Sequence, residues 1–466
     1  MTVKPANGIE FPAEVPVVII GGGACGMTAA LAAREAGVDV VIVERDSAPQ
    51  GSTALSSGMV PAAGTKLQRA KGVDDSPALF ARDIQDKAKG QADETAVAAV
   101  TETAGAAIDW LTEEKGINLE LVKGFLYPGH SVFRMHAPKS RTGQELIGML
   151  TAAAEAAGCT ILPDAPVTSL FADADGRVRG IEITRPDGAV EHIGCGALIL
   201  ACNGYGGNKD MVSRYIPEMA EAWYFGHAGN QGDAVLWGEA LGGEAKHMGA
   251  YQGHGSVATP HGILITWALM MEGGIQVNAE GKRFSNEHLG YSEQALSVLE
   301  QPGGVAWDID DGRLHELGME FEDYRTAVSQ GAVKEAASTG ELARLLSLPE
   351  SSLAASIVET AQEDVDRFGR DLGATPALQP PFLGVKVTGA IFHTQGGLRV
   401  DNQARVLRRQ SNVPLPNLFA GGGAAVGVSG PQVSGYLSGN GLLTAITLGR
   451  LAGQAAARVS QTAGPI

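Results

Sequence analysis

Cysteine is scarce and poorly spaced for metal chemistry. Cys25, Cys159, Cys195 and Cys202 are the four in 466 residues, and none forms a C-x-x-C pair. That argues against an iron–sulfur cluster or a c-type haem segment, leaves no metal site to expect, and suits a reducing, cytoplasmic setting. No apolar run has the length of a membrane span, so no membrane insertion is expected. Met1 to Glu14 lack the basic start and apolar stretch of a secretory signal. Positive charge is in deficit. Lys and Arg number 35 against 52 Asp and Glu, a formal −17, which disfavours nucleic acid or an anionic membrane as a partner. Repeats and low-complexity linkers are also missing.

Glycine is abundant, at 63 residues, and much of it is clustered, as where backbone approaches a ligand closely. The first cluster is the most informative. Val17-Val18-Ile19-Ile20 leads into Gly21-Gly22-Gly23-Ala24-Cys25-Gly26, then an alanine-rich run, then Val40-Val41-Ile42-Val43-Glu44. This reads as strand, glycine turn, helix, strand, acid. Gly21, Gly23 and Gly26 fit G-x-G-x-x-G, whose glycines permit a tight turn, admit a pyrophosphate and let helix and strand pack closely. The helix N-terminus offers unpaired N–H groups to the phosphates. Glu44 is placed to accept hydrogen bonds from a ribose diol. A bound dinucleotide is the expectation.

The remaining organisation suits two domains, as the length suggests. The loop Gly51-Ser52-Thr53-Ala54-Leu55-Ser56-Ser57-Gly58-Met59 is small and polar, and suited to touching a cofactor. Helices are expected over 92–114 and 142–157, and strands through 167–193 around two turn signals. Ala197 to Ala201 reads as a buried strand, followed by Asn203-Gly204-Tyr205-Gly206-Gly207. From about Tyr251 to Gly384 the βαβ rhythm is lost, which marks an inserted domain. A strand over 415–420 then enters Gly421-Gly422-Gly423. A last helix, over about 439–459, begins at Ser438-Gly439-Asn440-Gly441 and provides a second N-terminus for negative charge.

The order of these motifs resembles the flavoprotein superfamily of fumarate reductase, succinate dehydrogenase and 3-ketosteroid dehydrogenases. Gly232-Asp233, Gln252-Gly253-His254, Glu280-Gly281-Lys282-Arg283-Phe284-Ser285-Asn286-Glu287 and His393-Thr394-Gln395-Gly396-Gly397 carry the resemblance along nearly the whole chain. It implies an α/β protein: a Rossmann-like FAD-binding domain, residues 1–249 and 389–466, interrupted by an α+β capping domain, residues 250–388. It implies FAD, held noncovalently because the 51–59 loop has no histidine. The implied cofactor residues are Gly21, Gly23, Ala24, Cys25, Gly26, Glu44 and Arg45; Gly51, Ser52, Thr53, Ser56, Ser57, Gly58 and Met59; Val167, Ala201, Gly204, Gly232 and Asp233; and Gly422, Gly423, Ser438, Gly439, Asn440, Leu442 and Leu443.

Three departures bear on the substrate. Tyr436 stands at or beside the position of the arginine that clamps a carboxylate in fumarate reductases. Thr266-Trp267-Ala268-Leu269-Met270 stands where T-E-x-x-R is expected, and Gly423 replaces a glutamate. The C-terminal tyrosine resembles instead that of 3-ketosteroid dehydrogenases and cyclic-ketone desaturases. The reaction implied is α,β-desaturation of a ketone, most simply a cyclic one, by α-proton abstraction and hydride transfer to flavin N5. Tyr436 and an amide at Gly439 or Asn440 would be the carbonyl donors, Arg283 the leading proton-transfer group, and His254 and His393 the positioning groups. Tyr127 and Tyr251 are the alternative proton acceptors. The plain alternative for Arg283 is an ion pair with Glu287, four residues on. The second functional reading is fumarate-reductase-like reduction of an activated C=C bond in an enoic acid. With no fused haem segment and no cluster cysteines, oxygen or a soluble electron acceptor is the expected outlet.

Overall fold

The computed structural model describes residues 2–362 and 364–462. Its first layer forms as the glycine motif requires. Strand β1 (Ala13–Ile20) runs into helix α1 (Ala24–Glu35), and β2 (Val40–Val43) returns parallel to β1, Val17 opposite Val40. The helix is alanine-rich and nearly all buried, so it lies flat on the sheet. Beyond its end Gly37 adopts φ +83°, the left-handed cap that glycine supplies without a Cβ penalty. Strand β3 (Val190–Leu200) flanks β1 on the other side, also parallel.

A nine-stranded sheet grows from this unit. Thr2–Pro5, Val167–Ala172 and Val178–Thr184 extend one edge, and Thr160–Leu162 closes the other. The turns at Asp173–Gly176 and Pro186–Gly188 fall between strands, as the sequence suggests. The helices expected over 92–114 and 142–157 are Glu94–Glu113 and Gly143–Ala156.

A seven-stranded sheet forms the second layer. Strand β4 (Tyr251–Ala258) precedes helix α2 (Tyr291–Leu299) and β5 (Val305–Asp311). Both strands run antiparallel to the long β6 (Phe382–Thr394). Trp223–Tyr224 pairs parallel with β6, so one strand of this sheet comes from outside residues 250–388. Glycine decides how close α2 lies to the sheet. A Cβ on Gly253 would stand 2.7 Å from that of Ala295, and one on Gly389 would stand 2.3 Å from the Ala295 carbonyl. No larger residue fits at either place.

The C-terminal segment returns to the first layer. Strand β7 (Pro414–Ala420) adds parallel to β3, and helix α3 (Asn440–Thr462) packs along α1 in the same apolar core. The N-termini of α1 and α3 thus open on one cavity between the sheets. No helix among the described residues is long and apolar enough to cross a membrane.

Candidate active site

One end of the cavity is a dinucleotide cradle. Gly21 sits at φ +106°, and a Cβ there would meet the Ala201 carbonyl at 2.5 Å. A Cβ on Gly26 would reach the Gly21 carbonyl at 1.9 Å. Both are therefore fixed as glycine by the close crossing of turn, helix and strand. Glu44 is buried, and its carboxylate accepts from the Gly22 amide at 2.7 Å and the Asp46 amide at 3.1 Å. Those bonds fix its direction while leaving lone pairs for a diol. The Thr53 hydroxyl accepts from the Ala24 amide at 3.0 Å, tying the polar loop to the start of α1. Within that loop Gly51–Ala54 forms a single helical turn. Arg45 pairs with Asp233 at 3.0 Å. Gly423 leaves no room for a side chain, because Asn203 Oδ1 lies 2.1 Å from where its Cβ would be. Asn203 thus occupies the space of the glutamate that the family pattern would place there. Two helix N-termini, a fixed carboxylate and a small-residue loop suit a dinucleotide such as FAD.

Of the residues expected at the cofactor, Gly21, Gly23, Ala24, Cys25, Glu44, Arg45, Gly51, Ser52, Thr53, Ser56, Ser57 and Met59 line this cavity. So do Val167, Ala201, Asp233, Gly422, Gly423, Ser438, Gly439 and Leu442. Gly26, Gly58, Gly204, Gly232, Asn440 and Leu443 stand behind the wall. Gly204 is pressed against the Thr394 hydroxyl, Gly232 caps the helix Asp233–Ala240, and Leu443 is wholly buried in the core.

The other end is aromatic. His254 projects from β4, Tyr291 from the first position of α2, His393 from β6, and Tyr436 from the segment before α3. The rings of His254 and Tyr291 stack at 4.8 Å. Tyr436 lies 6.0 Å from Tyr291 and 5.6 Å from His393, and Tyr127 lies 6.4 Å from Tyr291. Trp267, Phe392, Gln252 and Thr266 complete the wall. The glycines under α2 make this possible, since they let Tyr291 settle onto His254. Among the described residues no arginine or lysine lines the cavity except Arg45, at the cofactor end.

Burial sets the protonation states. It pushes His254 down to about 3 and His393 down to about 4, so both are neutral near pH 7. Nδ1 of His254 accepts from the Ser256 amide at 3.1 Å, which puts the ring proton on Nε2. Burial holds the Tyr436 hydroxyl above its usual range, while the Gly441 amide, the Tyr291 hydroxyl and the Gly439 amide favour its anion. Tyr291 is raised well above the tyrosine range by burial and by Tyr436, with the Ser438 hydroxyl opposing. Tyr127 is pushed up to about 12 by burial, with the Thr266 hydroxyl opposing. Of the two amides expected as carbonyl donors, that of Asn440 is spent on the Leu437 carbonyl at 3.1 Å. The Gly439 amide has no backbone acceptor among the described residues and faces the Tyr436 hydroxyl.

Arg283 does not line the cavity. It is 2% exposed and pairs with Glu287 at 2.8 Å and Asp366 at 2.7 Å, with Glu359 at 3.6 Å. Glu287 also holds Arg370 at 2.8 Å, and its carbonyl accepts from the Trp267 indole at 3.1 Å. These carboxylates hold the guanidinium charged and raise its pKa further, so it has no proton to give. The network braces the wall that carries Trp267. Arg283→Ala is accordingly expected to lower stability by about 3–5 kcal/mol, the cost of leaving buried carboxylates unpaired. The check is a thermal melt, with turnover per FAD-loaded molecule staying near normal. Tyr251 is also off the cavity, wholly buried in a separate apolar cluster. Tyr291, not singled out from the sequence, takes the central place. Its signal was Gly290-Tyr291 at the start of an apolar-periodic helix just after the Arg283 motif.

Comparison with known proteins agrees with this geometry. A family model described as FAD binding domain matches residues 16–442. A probable fumarate reductase of Shewanella frigidimarina is 31% identical over 452 residues, 95% of this chain and 74% of that protein. The open conformation of a flavocytochrome c3 fumarate reductase has a TM-score of 0.81 at 29% identity, covering 98% of this chain and 80% of that one. A 3-ketosteroid-Δ4-(5α)-dehydrogenase from Rhodococcus jostii has a TM-score of 0.76 at 25% identity, covering 97% and 99%. The chain belongs to the FAD binding domain family and is an FAD-dependent oxidoreductase of the fumarate reductase flavoprotein lineage.

Proposed function

We propose that this enzyme desaturates an uncharged ketone, most simply a cyclic one, between its α- and β-carbons. The supporting observation is the aromatic end of the cavity. Among the described residues it has no guanidinium for a carboxylate, and it sets the Tyr436 hydroxyl beside the Tyr291 hydroxyl and the Gly439 and Gly441 amides. The carbonyl oxygen would lie against the Tyr436 hydroxyl and the Gly439 amide. Both donate as negative charge develops on that oxygen, and each is worth roughly 3–4 kcal/mol in a water-excluded site. Tyr291, rather than Arg283, would take the α-proton. A phenol held above its usual pKa is a poor acid, but its anion is a strong base, and the α-proton of a ketone needs one. Tyr127 is only partly buried and would pass the proton outward. His254, with its Nε2–H, and His393 would orient the substrate. When bound, FAD takes up the hydride lost from the β-carbon.

The roles carry a pH signature. Desaturation needs Tyr291 ionised, and burial raises its pKa, so kcat/KM is expected to climb with pH across the neutral and alkaline range. A rate that falls as pH rises would instead mark a site that donates its proton.

FAD is proposed to be noncovalent, since the loop at the start of the cradle, residues 51–59, offers no histidine. Acid precipitation should release all the yellow colour to the supernatant; colour left on the pellet would contradict this. The electron outlet is proposed to be oxygen or a soluble acceptor.

The second reading is reduction of an activated C=C bond in an enoic acid. The identity with a fumarate reductase and the retained His254 and His393 favour it. The cavity supports it less, because neither histidine is charged and Arg283 is committed elsewhere. Anaerobic flavin bleaching by a panel of ketones and by succinate separates the two.

A further inference from the structure

We propose that His130 is a positioning residue for catalysis, acting through the peptide bond between Ser438 and Gly439. Its Nε2 lies 3.0 Å from the Ser438 carbonyl oxygen, and its Nδ1 lies 3.4 Å from an Arg134 nitrogen. Arginine can only donate, so Nδ1 is the acceptor and the ring proton sits on Nε2. His130 therefore donates to Ser438. Burial and the Arg134 charge push its pKa down to about 4, which keeps this tautomer across ordinary assay conditions.

The donor is held from behind. Arg134 is 1% exposed and pairs with Asp75 at 2.8 Å and with Asp83. Asp83 also accepts from the amide and hydroxyl of Ser131, at 2.9 and 2.7 Å. Arg134 stacks over Phe80 at 4.7 Å. The chain Asp75/Asp83–Arg134–His130 ends on a carbonyl that caps no helix and joins no strand.

The link to chemistry is the rigid peptide plane. The Ser438 carbonyl and the Gly439 N–H belong to one peptide unit and point in opposite directions. Fixing the carbonyl fixes where the N–H aims. A hydrogen bond on the oxygen also polarises the N–H, making it a better donor. That N–H has no backbone acceptor among the described residues and faces the Tyr436 hydroxyl. His130 thus holds the backbone half of the carbonyl-binding pair from outside the cavity. This rests on the reading of Tyr436 and Gly439 as the carbonyl donors.

The test compares H130F, H130Q and H130N as holoenzymes, beside Y436F. The Gln amide nitrogen sits where Nε2 of histidine does and can reach Ser438; the Asn amide is too short. H130F and H130N are expected to lose about 10- to 30-fold in kcat, less than deletion of a donor outright. KM should hold within about two-fold and FAD content should be normal. H130Q should recover to within about three-fold of wild type. In the H130F/Y436F double variant the losses should be less than multiplicative, since both act on one oxygen. If H130F does not fold, H130Q against H130N carries the comparison. Equal loss in H130N and H130Q would overturn the proposal, because the ring and not its hydrogen bond would then matter. Loss of FAD in soluble H130F would overturn it too. Wild-type turnover in H130F with a crippled Y436F would sink this inference alone. Near-normal turnover in Y436F would sink the parent reading.

Discussion

Tyr291→Phe is expected to lower kcat for ketone desaturation by about 100- to 10,000-fold, the range for a positioned general base. The substitution removes one oxygen and leaves the ring, so the stack on His254 at 4.8 Å and the contacts with Trp267 and Tyr127 persist. KM and FAD content should change little. The alkaline rise of kcat/KM should flatten in the variant, because the ionisation that produces it is gone. Stopped-flow flavin reduction over a pH series checks both. A variant that keeps the wild-type rate and pH profile would shift the base to Tyr127, whose ring lies 6.4 Å from that of Tyr291.

Tyr436→Phe is expected to lower turnover by about 100-fold or more, on the scale of removing one oxyanion donor. Here too the cavity keeps its shape. The segment before α3 is held by its own backbone bonds, Tyr436 N–H to the Val433 carbonyl at 3.1 Å and Asn440 N–H to Leu437. The Gly439 amide remains, so some activity should survive. Steady-state kinetics with FAD quantified per chain checks this. Near-normal turnover would mean that the carbonyl oxygen binds elsewhere.

The cofactor end was legible in the sequence because its constraints are local. Gly21, Gly26 and Glu44 lie within one βαβ unit, and a turn, a close crossing and an acid at a strand end each leave a mark on neighbouring residues. Tyr436 was singled out by its match to the carboxylate-clamp position of fumarate reductases, and it lines the cavity. The capping sheet was less visible. Val305–Asp311 carries Asp308, Asp310 and Asp311, all buried, and Tyr251–Ala258 carries Gln252, His254 and Ser256. Ser256 and Gln276 satisfy Asp308 inside the sheet. Buried polar residues of this kind break the alternation that announces a strand. Arg283 misled for a related reason. A charged residue within a recognisable motif suggests chemistry. Its partners Asp366 and Glu359, however, lie some 80 residues away, where no spacing rule reaches. Tyr291 was missed because its role comes from tertiary contact: glycines on β4 and β6 draw α2 onto His254.

The central claim is that the cavity takes an uncharged ketone and passes its electrons to the flavin. Anaerobic mixing of the oxidised holoenzyme with steroid ketones, cyclohexanone-type ketones with and without a carboxylate, and succinate tests it most directly. Loss of flavin absorbance with one or more uncharged ketones, and none with succinate, is the result expected. Rapid bleaching by succinate while every ketone leaves the spectrum unchanged would contradict the account.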